Sequence, residues 1–260
     1  MISPHKREQV EKIRSAFEAS HTTTTTQLLV GSSTIARYSA PPEATVFPLE
    51  YAFHLLGDVK GKTILEYGCG DGLNTVILAN RGARVIALDI SAELLGIARH
   101  RLKENGCDGV ELLLGSAHSL PLKDESVDVV FGMAILHHLE LKLASSEIQR
   151  VLKRGGRGIF KEPVRNSKVL TRVRQLFPRR ADVSEYERPL TDAEIKDFAK
   201  PCSFHAKTFQ LPLSTLTDFL PFGEDHAFSF SAHLDAHLLR LCPPLIHYGT
   251  VKVFQIIKLS

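Results

Sequence analysis

The stretch Ile64–Thr75, ILEYGCGDGLNT, decides how the chain folds. Gly68, Gly70 and Gly72 stand at every second position, directly after a short apolar run that holds one acid, Glu66. TILEY predicts a strand, and LNTVILAN has the length and apolar content of a helix. Glycines in a strand-to-helix turn permit unusual φ/ψ values and let a ligand approach the backbone closely. ARVIALD then predicts a second strand. It ends in Asp89, 21 residues after Gly68. An acid at about that distance suits the paired hydroxyls of a ribose. Turn and acid together point to a cofactor that carries a nucleoside. The alternative is a tight turn beside a solvated aspartate.

Working outward, SAELLGIARHRLKEN predicts a helix. Leu94, Ala98 and Leu102 recur every four residues, Ser91 suits the N-cap and Gly106 suits the stop. VELLLG, SVDVVFGMA and RGIFKEP predict third, fourth and fifth strands, with LASSEIQRVLKRGG as a helix closed by Gly155. The strands are near-continuously apolar, as they must be when helices cover both sheet faces. The alternation predicts a doubly wound, parallel α/β sheet. Upstream, Val10, Ile13 and Phe17 are spaced as on a helix. Then come the tract Thr22–Thr26, an irregular stretch YSAPPEATVFP, and a helix from Leu49 to Leu56. Downstream, TDAEIKDFAK predicts a helix whose Thr191 and Glu194 form a capping box. SFHAKTFQL and YGTVKVFQIIKL predict two closing strands. The expected organisation is a helical arm over 1–57 and one α/β domain over 58–260. Within that domain the cofactor half is 60–163 and the substrate or lid half is 164–260.

The chain has 260 residues, 43% apolar and 23% charged, with a net charge of +3. That charge is too small to indicate a nucleic-acid partner. No apolar run approaches the ~18 residues of a membrane span. MISPHKREQVEKIRS has no apolar signal core. Cys69, Cys107, Cys202 and Cys242 are far apart and form no CxxC pair. HHLE falls short of a helical HExxH. A reducing, cytoplasmic setting and no metal are the expectation.

Two common nucleotide motifs fail. A dinucleotide site needs G-x-G-x-x-G, and its third glycine position is Leu73. A P-loop reading of Gly61–Thr63 puts Leu56 at the required earlier glycine and precedes the strand. The segments ILEYGCGDG, VIALDIS, LLLGSAHSLPLKDESVDVVFGMAILHHL and EIQRVLKRGGRGIFKEP together resemble the successive motifs of class I S-adenosylmethionine-dependent methyltransferases. They are most similar to the small-molecule branch that includes quinone-biosynthesis C-methyltransferases. The resemblance covers about residues 60–163.

It implies a Rossmann-like, seven-stranded sheet and S-adenosylmethionine as cofactor. Glu66 and the backbone of Gly68, Cys69, Gly70 and Gly72 would face the methionine moiety. Asp89 would hold the ribose, with Ile90 against the adenine. Ser116 and Ala117 would border the adenine, and Met133 and Ala134 the sulfonium region. The chain departs from the family at Ser116, where an acid usually accepts the adenine amine. A serine oxygen can accept the same hydrogen bond without the charge.

His137 and His138 follow the fourth strand, where the methyl group would sit, and either could serve as general base or orient the acceptor. The alternative is a helix start whose histidines bond backbone or water. The same position carries GMAILHH in place of an Asn/Asp-Pro-Pro-Tyr/Phe motif, which speaks against methylation of a base amine or of glutamine. Arg165, Lys168, Arg172, Arg174, Arg179 and Arg180 form a basic run. It reads first as the solvated face of a helix with Val169, Val173 and Leu176 inward, and alternatively as a contact to a phosphate, an anionic lipid or RNA. Residues 212–245, with Phe219, Phe222, Phe228, Phe230, His226, His233 and His237, read as an apolar lid or a packing insert. Tyr38 and Tyr51 are candidates to close over the cofactor.

The expected activity is in-line methyl transfer to a small, partly apolar metabolite. Nucleic acid is not indicated, and the oligomeric state is open. The competing readings are a nicotinamide-dependent oxidoreductase and a non-catalytic S-adenosylmethionine-binding or RNA-associated protein.

Overall fold

The computed structural model describes residues 8–13, 27–167, 188–212 and 224–259, without the side chains of 224–228. Phe17, Thr22–Thr26, Lys168–Arg180, Phe219, Phe222 and the side chains of His226 and Phe228 lie outside the described residues. Residues 8–13 are helical. After them come α1 (Ser32–Ser39), α2 (Pro48–Leu56), β1 (Thr63–Tyr67), α3 (Leu73–Asn80), β2 (Arg84–Asp89), α4 (Ala92–Glu104), β3 (Glu111–Leu114) and β4 (Val127–Met133). A 3-10 turn (Leu136–His138) leads to α5 (Leu141–Val151), β5 (Leu152–Pro163), α6 (Asp192–Ala199), β6 (Ser203–Phe209), α7 (Glu224–Leu241) and β7 (Val251–Ile257).

The strands form one seven-stranded sheet in the order β3-β2-β1-β4-β5-β7-β6. The pairs among β1 to β5 are parallel, and β7 runs antiparallel to β5 and β6. Side chains alternate between the two sheet faces, so each face needs its own cover. Ile64, Val129, Phe131, Ile159 and Val253 pack on one face with Phe53, Leu56, Ile77 and Leu78. Leu65, Tyr67, Val130, Phe160 and Phe254 pack on the other with Ile148, Val151, Ile195 and Phe198. The long apolar strands of the sequence follow from this double burial.

Two local expectations are corrected. The helix expected to run to Gly155 ends at Val151, and Lys153–Gly155 belong to β5. Tertiary pairing overrides the helical pattern there: Leu152 pairs with Val127, the register shifts before Val129, and Gly155 takes φ +70°. Tyr38 and Ser39, read as irregular, close α1. That helix fully buries none of its residues and shows no side-chain cap, so capping does not announce it. The caps on Ser91 and Thr191 form as expected, the second as a full capping box.

Candidate active site

The strand order reverses between β1 and β4. Ligands of open α/β sheets bind at such a switch point, beyond the carboxyl ends of the strands. A cavity of about 350 Å³ lies there. Its walls come from the ends of four adjacent strands: Gly68 and Gly70 after β1, Leu88–Ile90 at β2, Gly115–His118 after β3 and Met133–Ile135 at β4. His137, His138 and Leu139 close one end, and Glu8 and Glu11 of the arm close the top.

The glycine turn is fixed from below. The N–H groups of Gly68 and Cys69 both donate to the Leu88 carbonyl, at 3.0 and 2.9 Å. Gly68, Gly70 and Gly72 all have positive φ, as their spacing implied. A Cβ on Gly72 would stand 2.9 Å from Ala98 Cβ, so α4 itself requires a glycine there. A Cβ on Gly70 would meet nothing within 4 Å, because that backbone borders open cavity. Arg101 of α4, almost fully buried, holds the turn through Asp71. Its Nη2 lies 2.7 Å from the carboxylate, and its Nε donates to the carbonyl at 2.9 Å.

Asp89 ties the turn to β2. Its Oδ2 accepts from Gly70 N–H and its Oδ1 from Ser91 N–H, both at 2.9 Å. The carboxylate also lines the cavity. After β4 the chain turns sharply. Ala134 sits at φ +56°, costly for a residue with a Cβ, and its N–H donates to Lys161 O at 2.7 Å.

The loop beyond is organised by Glu162 of β5, which is fully buried. Its Oε1 accepts from Ile135 N–H and Leu136 N–H, at 2.9 and 2.8 Å. Its Oε2 lies 2.7 Å from His137 Nδ1. A carboxylate only accepts, so His137 carries its proton on Nδ1. The His138 ring lies against that of His137, tilted by 40° with centroids 4.0 Å apart, and its Nδ1 is 3.2 Å from Glu11.

Of the residues expected at the site, Gly68, Gly70, Asp89, Ile90, Ser116, Ala117, Met133, Ala134, His137 and His138 line the cavity together. Glu66, Cys69 and Gly72 do not: Glu66 is buried in β1, and Cys69 and Gly72 belong to the turn but not to the cavity wall. Burial pushes the Cys69 thiol up, so it is no thiolate nucleophile. Tyr38 packs on Phe53 and Tyr51 lies by Phe209, both away from the cavity. His233 and His237 of α7 border a different cavity, of about 680 Å³, beside Lys207. Sequence reasoning missed Glu8, Glu11, Arg101 and Glu162. Only the Glu-Pro pair ending β5 offered a signal for any of them.

Glu66 has its own consequence. Burial raises its carboxyl to about 8; the hydrogen bond from Thr75, at 2.5 Å, opposes this, and the charges of Asp89 and Asp71 add to it. The ordinary value is 4.5. Between 4.5 and about 8 the unfolded chain binds fewer protons at this group than the folded one does. The contribution of Glu66 is therefore most favourable at the acid end of that window and declines as pH rises to about 8. Glu66→Gln is expected to gain stability relative to the parent between pH 5 and 8, by on the order of a few kcal/mol at about 1.4 kcal/mol per unit. Urea unfolding of both proteins across that range measures it. Parallel pH profiles would reject the assignment.

Residues 65–160 match the family described as methyltransferase domain. An uncharacterized methyltransferase of Mycobacterium tuberculosis is 35% identical over 128 residues, which is 49% of this chain and 47% of that protein. A demethylmenaquinone methyltransferase of Lactococcus lactis is 39% identical over 106 residues, 39% of this chain and 42% of that one. The chain thus spans about half the length of the curated relatives it matches. Among solved structures, geranyl diphosphate C-methyltransferase from Streptomyces coelicolor superimposes with a TM-score of 0.57 at 19% identity, over 88% of this chain and 85% of that one, a likeness of fold. The matched segment runs from β1 to β5 and supplies most of the cavity wall. Over residues 65–160 the chain is similar to a methyltransferase domain.

Proposed function

We propose that the protein transfers a methyl group from S-adenosylmethionine to a small, partly apolar metabolite. One observation carries this: a single cavity gathers a glycine turn, a strand-end aspartate, apolar side chains and a buried histidine–glutamate pair. The likeness to a demethylmenaquinone methyltransferase supports an acceptor of the small-molecule kind.

The residues present fit the cofactor. Asp89 presents a carboxylate in the cavity wall to ribose hydroxyls, Ile90, Leu88 and Leu94 offer apolar surface to a purine, and Gly70 leaves space at the backbone. When bound, the cofactor supplies an electrophilic methyl group on a neutral leaving group. The protein's task is then to align the acceptor and exclude water. Met133, Ala134, Ile135 and Leu139 give one end of the cavity an apolar lining suited to that task. An acceptor O–H or acidic C–H delivers its proton to His137 Nε2, and Glu162 holds the resulting imidazolium in place.

Calorimetric titration with S-adenosylmethionine, S-adenosylhomocysteine and NADH tests the reading. Micromolar binding of the first two and none of NADH is expected. Binding of NADH alone would replace it with the oxidoreductase reading.

A further inference from the structure

Ser116 cannot supply a charge to the cavity, yet a carboxylate stands beside it. Glu8, on the helical turn 8–13, accepts a hydrogen bond from Ser116 Oγ and lies 2.8 Å from His118 Nδ1. His118 Nε2 accepts from Glu140 N–H at 2.8 Å, so its proton resides on Nδ1 and points to Glu8. Ser116 Oγ in turn accepts from His118 N–H at 3.0 Å. Serine and histidine thus form a bracket, both donating to the same oxygen, Glu8 Oε1. Among the described residues Oε2 accepts no hydrogen bond. Glu8 lines the cavity, and its side chain is 23% exposed. Partial burial pulls its carboxyl up, but the bonds from Ser116 and His118 and the charge of Lys12 outweigh this and hold it below the ordinary value. The group is an anion near neutral pH.

Its place in the cavity is defined. Ser116 and His118 follow β3, next to the strand end that holds Asp89 and Ile90. Glu11 stands one turn on and faces His138 at the opposite end. The turn therefore bridges the cavity from its β3 side to its His138 side, with Glu8 over the end where a purine would lie.

We propose that Glu8 recognises the exocyclic amine of the cofactor's purine, so that the arm, which is not part of the sheet, selects an adenine base over one bearing a carbonyl. The proposal rests on the cofactor reading above. An amine N–H donated to a carboxylate forms a charge-assisted bond, whereas a purine carbonyl at the same point would face the anion as a second acceptor. Ser116 and His118 act through Glu8 by fixing its rotamer.

The test is calorimetric titration of the full chain with S-adenosylhomocysteine and with S-inosylhomocysteine, which differs in carrying a carbonyl in place of the amine. The parent protein is expected to favour the adenosyl ligand by on the order of 100-fold. Glu8→Gln, whose amide can donate to the carbonyl, is expected to lose about 10- to 100-fold on the adenosyl ligand and to narrow or invert the preference. Adding Ser116→Asp to Glu8→Ala is expected to return part of the adenosyl preference. A parent protein that binds neither ligand overturns the cofactor reading itself. A parent that binds the adenosyl ligand, with a preference unchanged by Glu8→Gln, overturns this proposal and leaves the cofactor reading standing. Tighter adenosyl binding by Glu8→Ala also overturns it, since the carboxylate would then be an obstruction.

Discussion

Replacing Asp89 with alanine is expected to raise the dissociation constant for S-adenosylhomocysteine by on the order of 10²–10⁴. Two ribose hydroxyls donated to a charged acceptor contribute about 1.5–3 kcal/mol each, and each 1.4 kcal/mol is about tenfold. The substitution also releases Gly70 N–H and Ser91 N–H from the carboxylate. The glycine turn then loses one of its ties to β2 as well as its ligand contact, keeping the two bonds to the Leu88 carbonyl. Asp89→Asn is expected to fall between, because its amide nitrogen cannot accept from either N–H. Titration calorimetry on variants with parental circular dichroism provides the measurement. A folded Asp89→Ala protein with parental affinity would remove Asp89 from the site.

The second large effect is expected at Glu162. Truncation to alanine leaves the Ile135 and Leu136 N–H groups and His137 Nδ1–H without their acceptor in a buried setting. Each orphaned donor costs about 1–3 kcal/mol, so the loss of stability is roughly 3–9 kcal/mol. Glu162→Gln separates structure from chemistry. Its carbonyl still accepts from the backbone pair, while its amide nitrogen faces His137. That contact favours the opposite tautomer, with the proton on Nε2 and no acceptor left for the substrate's proton. Turnover is expected to fall by about 10²–10⁴ with a far smaller change in stability. Nitrogen chemical shifts of His137 report the tautomer directly, with or without an acceptor. An unchanged tautomer and unchanged turnover in Glu162→Gln would confine Glu162 to a structural role.

The parts of the site that could be read from the sequence are those written over short distances. The strand, turn and helix around Gly68–Gly72 depend on local φ/ψ needs, and positive φ at all three glycines follows from them. Asp89 was legible because one βα unit has a fixed length, which sets the spacing from the turn to the next strand end. Glu66 shows the limit of carrying roles over by position: its acid lies in the right strand but is buried with Thr75 and does not line the cavity. The helix boundary at Val151 was not legible, because Leu152 joins the sheet through a partner 25 positions earlier in the chain.

The sequence by itself determined the α/β class, and it pointed to the carboxyl edge of the sheet, the glycine turn and the strand-end acid as the candidate site. Repeating apolar runs, capping residues and turn glycines act within a few residues of where they stand, so their pattern survives in one dimension. Only the tertiary structure decided which charges meet. Glu162 reaches His137 across 25 positions, Arg101 reaches Asp71 across 30, and Glu8 reaches Ser116 across 108. A buried charge requires a partner, but nothing in the chain's local chemistry says which; the packing of strands and arm does.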